Sequence, residues 1–333
     1  MTNGETFSAL ILRETDDGGY RPAFEQLDVT DLQEGDVLVA VEYSSLNYKD
    51  GLAVTGKGKI ARRLPLIPGI DLAGTVLESS SAEFSPGDPV LLTGYGVGEK
   101  HCGGYAQRAR VWSEWLVPMP QGLDSRRAMA IGTAGFTAML CVMALEEGGV
   151  TPDRGPVLVT GAAGGVGTIA VSLLAGLGYE VVAVTGRPET HEFLSDLGAA
   201  RFVDRETMSA PARPLESQLW AGAVDAVGST TLARVLAETS RDGTVAACGL
   251  AGGIDLPTTV MPFILRGVRL QAVPSVQPPM SRRREAGARL GRDWSLEKLD
   301  QLTGEVPLSA VVEHAGTILD GRVRGRTVVN VNR

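Results

Sequence analysis

The stretch Val157-Leu158-Val159-Thr160-Gly161-Ala162-Ala163-Gly164-Gly165-Val166-Gly167 decides the fold. An apolar, β-branched run ends at a threonine, glycines follow, and Thr168-Ile169-Ala170-Val171-Ser172-Leu173-Leu174 continues as a helix. Strand, glycine turn and helix in that order make the first βα unit of a doubly wound parallel sheet. Ala162 stands at the position of the usual first glycine of the dinucleotide fingerprint, with Gly164 and Gly167 at the other two. Gly164 and Gly165 let the backbone approach a pyrophosphate, which the free N–H groups and dipole of the helix N-terminus attract.

Outward from the loop, strand and helix patterns alternate. Strands are expected at 180–185, 224–227, 243–248 and 268–273, with a helix at 190–197. Upstream, Asp124 or Ser125 caps a long apolar helix that stops near Glu147, before Gly148-Gly149. The first third reads differently: short β-branched runs at 36–42, 74–77 and 88–92, separated by turns such as Ser85-Pro86-Gly87-Asp88. That pattern suggests a compact, barrel-like β domain. The tail adds a helix over 284–302 and a closing strand over 326–331. The chain is therefore expected to be α/β, with a β-barrel domain at 1–123, a Rossmann domain at 124–279, and a return of the chain to the first domain over 280–333.

The second Rossmann strand selects the dinucleotide. A site for NAD ends this strand with an acid that bonds the ribose 2′-hydroxyl. Here Thr185-Gly186-Arg187 takes that place, and Arg205 follows the next short strand. A hydroxyl and guanidinium groups hold a 2′-phosphate through charge-assisted hydrogen bonds, which an acid would repel. NADPH is the expected cofactor.

Composition bounds the rest. At 333 residues, 44% hydrophobic and 21% charged, the chain has the make-up of an ordinary globular protein of two domains. A net charge of −8 speaks against a general nucleic-acid binder, and Arg282-Arg283-Arg284 reads as a solvated helix start. The apolar segment 128–145 reads as a buried helix rather than a membrane span. Three scattered cysteines give no disulfide framework, and the first residues lack the pattern of a signal peptide, so the expectation is cytoplasmic. His101-Cys102 is the one place where two metal-ligand types adjoin without an evident third, so no metal is expected.

At this point the residues resemble the medium-chain dehydrogenase/reductase superfamily, in its zinc-free quinone-oxidoreductase-like branch. The glycine loop and Gly325-Arg326-Thr327-Val328-Val329 carry that likeness. Longer stretches are similar to the NADPH-dependent acrylyl-CoA reductase subgroup. They are 44–51 (SSLNYKDG), 55–59 (TGKGK), 68–75 (PGIDLAGT), 131–143 (IGTAGFTAMLCVM), and 248–253 (CGLAGG) running into 256–264 (LPTTVMPFI). The resemblance spans nearly the whole chain and weakens over 277–315.

It implies a GroES-like catalytic domain, a Rossmann domain, an active site in the cleft between them, and a homodimer joined near the sheet edge at 268–273. It also implies that Tyr48 touches the nicotinamide end of NADPH and that Gly167, Thr168, Ile169 and Ala170 run along the pyrophosphate. Thr185, Gly186, Arg187 and Arg205 would hold the adenosine phosphate. Leu250, Ile264 and Ser275 would close over the nicotinamide, and Asn332 would reach back from the tail. Asn47 takes the place of the first metal cysteine of zinc relatives.

The expected reaction is NADPH-dependent reduction of the carbon–carbon double bond of acrylyl-CoA, or a related short enoyl thioester. Tyr48 and Asn47 are the candidates for stabilising the enolate, Tyr48 also as proton donor. Lys49-Asp50 reads as a local ion pair that fixes this loop. Lys57-Gly58-Lys59-Ile60-Ala61-Arg62-Arg63 is a basic segment suited to the phosphates of coenzyme A, and Gly94-Tyr95-Gly96-Val97-Gly98 with His101-Cys102 is a candidate lining for the acyl group. Two other functions compete: an NADPH-dependent quinone or enone reductase, and a non-catalytic NADPH-binding sensor.

Overall fold

A computed structural model describes residues 6–333. The reading of the first five residues against a signal peptide lies outside the described residues. The chain forms two compact units: one runs to Thr133 and resumes over Leu299–Arg333, the other is Ala134–Lys298.

The first unit is built on a seven-stranded sheet. Its central strand Val37–Leu46 pairs antiparallel with Asp71–Ser79, with Arg108–Val111 and with the closing strand Arg326–Asn330. The closing strand is there because its side chains fill the core: Val328 and Val329 are fully buried. A hairpin of Thr6–Glu14 and Tyr20–Asp28 is attached through the bridges Ala9↔Ala106 and Leu12↔Leu66. Phe7, Leu10, Leu38, Leu72, Leu92 and Tyr105 make up much of the interior.

The second unit is a six-stranded, all-parallel sheet. In sequence its strands are Val157–Val159, Val181–Thr185, Ala199–Asp204, Trp220–Asp225, Thr239–Ala247 and Arg269–Ala272, here called the first to the sixth. Their spatial order is third, second, first, fourth, fifth, sixth, with every pairing parallel. This is the doubly wound Rossmann order, whose switch point lies between the first and fourth strands.

The unit boundaries differ from the sequence expectation. The long helix Ser125–Glu147 is broken at Gly132, where φ is 48° and ψ −158°. Its opening turns belong to the first unit, where Arg127 pairs with Asp300 at 2.7 Å and Arg326 donates to the Ala130 carbonyl at 2.8 Å. The return begins at Leu299 rather than 280, because Met280–Asp293 is a helix of the second unit. Arg289 ties that helix to Glu146 at 2.9 Å, and Trp294 Nε1 donates to Ser172 Oγ at 3.0 Å.

The arginine run is not uniformly solvated either. Arg282 pairs with Glu147 and Glu285, whereas Arg283 is buried with its guanidinium 4.6 Å from the centre of the Phe136 ring. By length and composition Ser125–Glu147 passes as a membrane span, yet 89% of its most apolar window is buried within the fold.

Candidate active site

All the loops that follow the parallel strands emerge at one edge of the second unit. After the buried first strand the backbone turns at Gly161, with φ +60°, and Gly164 precedes the helix Gly165–Gly176 without a side-chain cap. The N–H groups of the helix's first turn are therefore free for a ligand. A Cβ on Gly167 would lie 2.2 Å from the Gly161 carbonyl oxygen, so only glycine lets helix and turn approach this closely. Gly164, Gly165 and Val166 are the accessible part of the cradle. Thr168, Ile169 and Ala170 sit one turn in and are buried, and the Thr168 N–H already donates to the Gly164 carbonyl. They support the helix rather than line the cradle, which is a correction to the expectation above.

The second strand ends where two arginines converge. Thr185 Oγ1 accepts from the Arg187 N–H at 3.1 Å, and Thr190 Oγ1 donates to the Arg187 carbonyl at 2.7 Å. The Arg187 guanidinium reaches the Ala163 carbonyl at 3.5 Å, bridging strand end and glycine loop. Arg205 lies over Gly186, where an added Cβ would be 3.0 Å from Arg205 Nε. Asp204, the neighbouring acid, turns away to cap its own helix by accepting from the Glu206 N–H at 2.6 Å. Free N–H groups, a glycine cradle and two guanidinium groups fit a dinucleotide with a phosphate on its adenosine ribose.

Leu250 and Ser275 follow the fifth and sixth strands at this same edge, Leu250 with its backbone against Gly228. Ile264 is placed differently. It is exposed on the helix Met261–Arg266, which leads toward the start of the sixth strand.

Sequence reasoning missed Asp225, which holds the edge together. It is fully buried, accepts from Thr160 Oγ1 at 2.6 Å and from the Gly228 N–H at 2.9 Å, and its pKa is raised by burial. An aspartate at the end of the apolar fourth strand is the only signal in the sequence.

In the first unit, Tyr48 opens the helix Tyr48–Thr55 and is 39% exposed. Asn47 caps that helix and is committed to a buried polar knot. Its Nδ2 lies 2.9 Å from Asp71 Oδ2, 3.0 Å from Ser45 Oγ and 3.1 Å from Asp50 Oδ2, and its Oδ1 accepts from Arg326 at 3.1 Å. The amide is thus held within the fold, at the head of the helix that Tyr48 opens.

Asp71 is the hub of the knot. It accepts from Ser45 Oγ at 2.5 Å, from the Thr133 N–H at 2.9 Å and from Thr133 Oγ1 at 2.5 Å. Gly132 is wedged here, since a Cβ would lie 2.7 Å from Asp71 Oδ2. Asp50 accepts from the N–H groups of Asn47 and Ile70, each at 2.9 Å. Burial, reinforced by the nearby Asp71 charge, pushes the Asp50 pKa up to about 7. Burial also lowers the Arg326 pKa and raises that of Tyr105, whose hydroxyl donates to the Ser45 carbonyl at 3.0 Å. Two carboxyl groups facing a guanidinium and an amide make a self-compensated cluster, not a zinc ligand set.

Lys49 does not pair with Asp50. Its ammonium group binds Glu99 at 2.9 Å, because adjacent residues on a helix face different ways. His101 and Cys102 do not read as an acyl pocket. The His101 ring packs edge-on against Trp115 with Nε2 2.7 Å from the Arg110 carbonyl, and Cys102 is buried with its N–H donating to Gln33.

Asn332 follows the closing strand. The register sets Thr327 against Leu46 and Asn330 against Tyr43, and Asn332 Nδ2 donates to the Val41 carbonyl at 3.3 Å. It therefore lies opposite the middle of the central strand, about 20 Å along that strand from Asn47 at the usual rise per residue.

Both units resemble known proteins. Residues 33–121 match the alcohol dehydrogenase GroES-like domain, and residues 165–289 match the zinc-binding dehydrogenase family. The probable acrylyl-CoA reductase AcuI of Escherichia coli K12 is 58% identical over 97% of this chain and 99% of its own. The acrylyl-CoA reductase AcuI of Ruegeria pomeroyi is 54% identical over 98% and 99%. The crystal structure of E. coli K-12 YHDH with bound NADPH superposes with a TM-score of 0.95 at 57% identity, covering 97% of this chain and all of that one. The chain belongs to the medium-chain dehydrogenase/reductase superfamily, in the family of the AcuI acrylyl-CoA reductases.

Proposed function

We propose that the protein reduces the carbon–carbon double bond of acrylyl-CoA, or a closely related short enoyl thioester, with NADPH. The observation that carries the cofactor half is the pair Arg187 and Arg205 around Gly186, where an NAD site would place an acid. The substrate half is supported by likeness to the acrylyl-CoA reductases over nearly the full length of the chain.

When bound, NADPH supplies a hydride for the β-carbon of the double bond. Gly164, Gly165, Val166 and Gly167 would hold its pyrophosphate, Thr185, Gly186, Arg187 and Arg205 its adenosine phosphate, and Leu250 and Ser275 the approach to the nicotinamide. As charge builds on the thioester oxygen, the Tyr48 hydroxyl is our candidate for the donor that stabilises it, and for the proton source at the α-carbon. Asn47, held by Asp71 and Arg326, keeps Tyr48 at the head of its helix.

We also propose a homodimer. The sixth strand, Arg269–Ala272, is a sheet edge exposed throughout, and Ile254, Val260, Ile264 and Leu265 add exposed apolar surface in the same unit. Such an open edge is a template for pairing with a second copy. A cytoplasmic location accords with three unpaired cysteines, and neither nucleic acid nor membrane is expected as a partner.

The test is an absorbance assay of NADPH consumption with acrylyl-CoA and, separately, with a benzoquinone. Turnover of acrylyl-CoA is expected. Turnover of the quinone alone would replace this function with the quinone reductase reading, and turnover of neither would favour the sensor. Light scattering during size-exclusion chromatography checks the dimer, which Leu270→Glu should convert to monomer.

A further inference from the structure

The basic loop after the Tyr48 helix has a use that the hydride chemistry does not require. Between Asp50 and Asp71 the chain carries Lys57, Lys59, Arg62 and Arg63 and no acid, in a protein with 39 acidic and 31 basic residues. All four side chains are exposed, as is Lys100 beside them, and none has an ion-pair partner among the described residues. Other arginines are neutralised by carboxylates, for instance Arg13 by Glu25, Arg126 by Glu305 and Arg213 by Glu216. A row of like charges without compensating carboxylates concentrates positive potential, which attracts anions.

The loop is also held in a defined place. Gly56 adopts a left-handed conformation that ends the Tyr48 helix, and the Gly58 N–H returns to the Leu52 carbonyl. The Arg62 N–H donates to the Glu99 carbonyl at 2.8 Å, while the Glu99 carboxylate grips Lys49, the neighbour of Tyr48, at 2.9 Å. Burial lowers the His101 pKa and raises that of Cys102, and the nearby Arg63 charge pulls both downward. Tyr48, Lys49, Glu99 and Arg62 thus form one continuous piece of surface within the first unit.

We propose that Lys57, Lys59, Arg62, Arg63 and Lys100 bind the nucleotide phosphates of the substrate's coenzyme A, with the pantetheine arm running from this loop toward Tyr48. The proposal rests on the thioester reading above and assigns the residues that distinguish a coenzyme A ester from a small enone or quinone, which has no phosphate to offer. Guanidinium and ammonium groups suit phosphate esters, Arg by paired hydrogen bonds and Lys as a mobile point charge.

The experiment uses the full chain saturated with NADP⁺, so that Arg187 and Arg205 are occupied. Adenosine 3′,5′-bisphosphate, the nucleotide end of coenzyme A, is titrated by calorimetry into wild type, Arg62→Gln/Arg63→Gln and Lys57→Gln/Lys59→Gln. Both double variants should bind it at least about tenfold more weakly, with the difference shrinking at high salt. In turnover, wild type should prefer acrylyl-CoA over acrylyl-pantetheine, and the variants should lose that preference through KM. Equal binding by wild type and both variants, or no binding by wild type, overturns the proposal. If the bisphosphate binds as expected but neither thioester is reduced, the functional reading fails and the loop assignment stands. If both thioesters are reduced equally well by wild type and variants, the loop assignment fails and the functional reading stands.

Discussion

At the carboxyl edge of the parallel sheet, the working groups are backbone N–H donors and two arginines, all drawn from residues 160–205. Beneath Tyr48 they are side chains drawn from Ser45, Asn47, Asp50, Asp71, Thr133 and Arg326, almost the whole length of the chain. The first region is open and poised for a ligand. The second is closed, its hydrogen bonds satisfied internally, with Tyr48 exposed at its edge. Removing one group from the open region should cost binding, whereas removing one from the closed region should cost stability, because a buried charge is left behind.

The largest effect is expected from Arg326→Met. This change leaves Asp50 and Asp71 buried without their cation and should lower stability by about 3–5 kcal/mol, measured by urea denaturation. A loss below about 1 kcal/mol would mean that the knot is hydrated and the contrast between the regions is false. Next comes Arg187→Ala, which should weaken NADPH binding roughly 10- to 100-fold while leaving NADH binding and stability nearly unchanged. Equal loss for both dinucleotides would show that Arg187 does not read the phosphate.

A further effect concerns pH. Asp50 titrates near pH 7 in the folded chain, against an ordinary carboxylate value of 3.8, so between those values the folded state holds a proton that the unfolded chain has released. Its contribution to stability is complete below pH 3.8 and is lost as pH rises toward 7. Comparing urea midpoints of wild type and Asp50→Asn across pH 4–7 isolates this slope from other groups, and identical slopes would contradict the assignment. Smallest of all is Asn332→Ala, expected to change stability by under about 0.5 kcal/mol and to leave the KM for NADPH unchanged. A marked rise in that KM would restore the tail residue to the cofactor site.

The two regions also differ in how far the sequence disclosed them. The glycine cradle and Thr185-Gly186-Arg187 were legible because each is local: the order strand, glycines, helix carries its own geometry, and the end of the second strand follows at a set interval. The barrel unit and the burial of Val328 and Val329 were legible as pattern. The knot was not, because nothing in the neighbourhood of Asp71 announces Arg326. Lys49-Asp50 looked like a pair only because adjacent letters suggest contact, which a helix denies. The run Arg282-Arg283-Arg284 misled for the same reason, its members turning to Glu147, to Phe136 and to solvent in succession. The place of Asn332 beside Val41 was not legible either, because strand register is invisible in one sequence.

The central claim is that hydride from NADPH enters the double bond of a coenzyme A thioester. Its most direct test is to run the reaction with NADPH deuterated in turn at each of its two C4 positions, and to locate the label in the product by mass spectrometry. The account predicts propionyl-CoA carrying one deuterium on its terminal carbon from one of the two labelled forms. Unlabelled acrylyl-CoA recovered intact while a quinone is reduced, or label at the α-carbon, would contradict it.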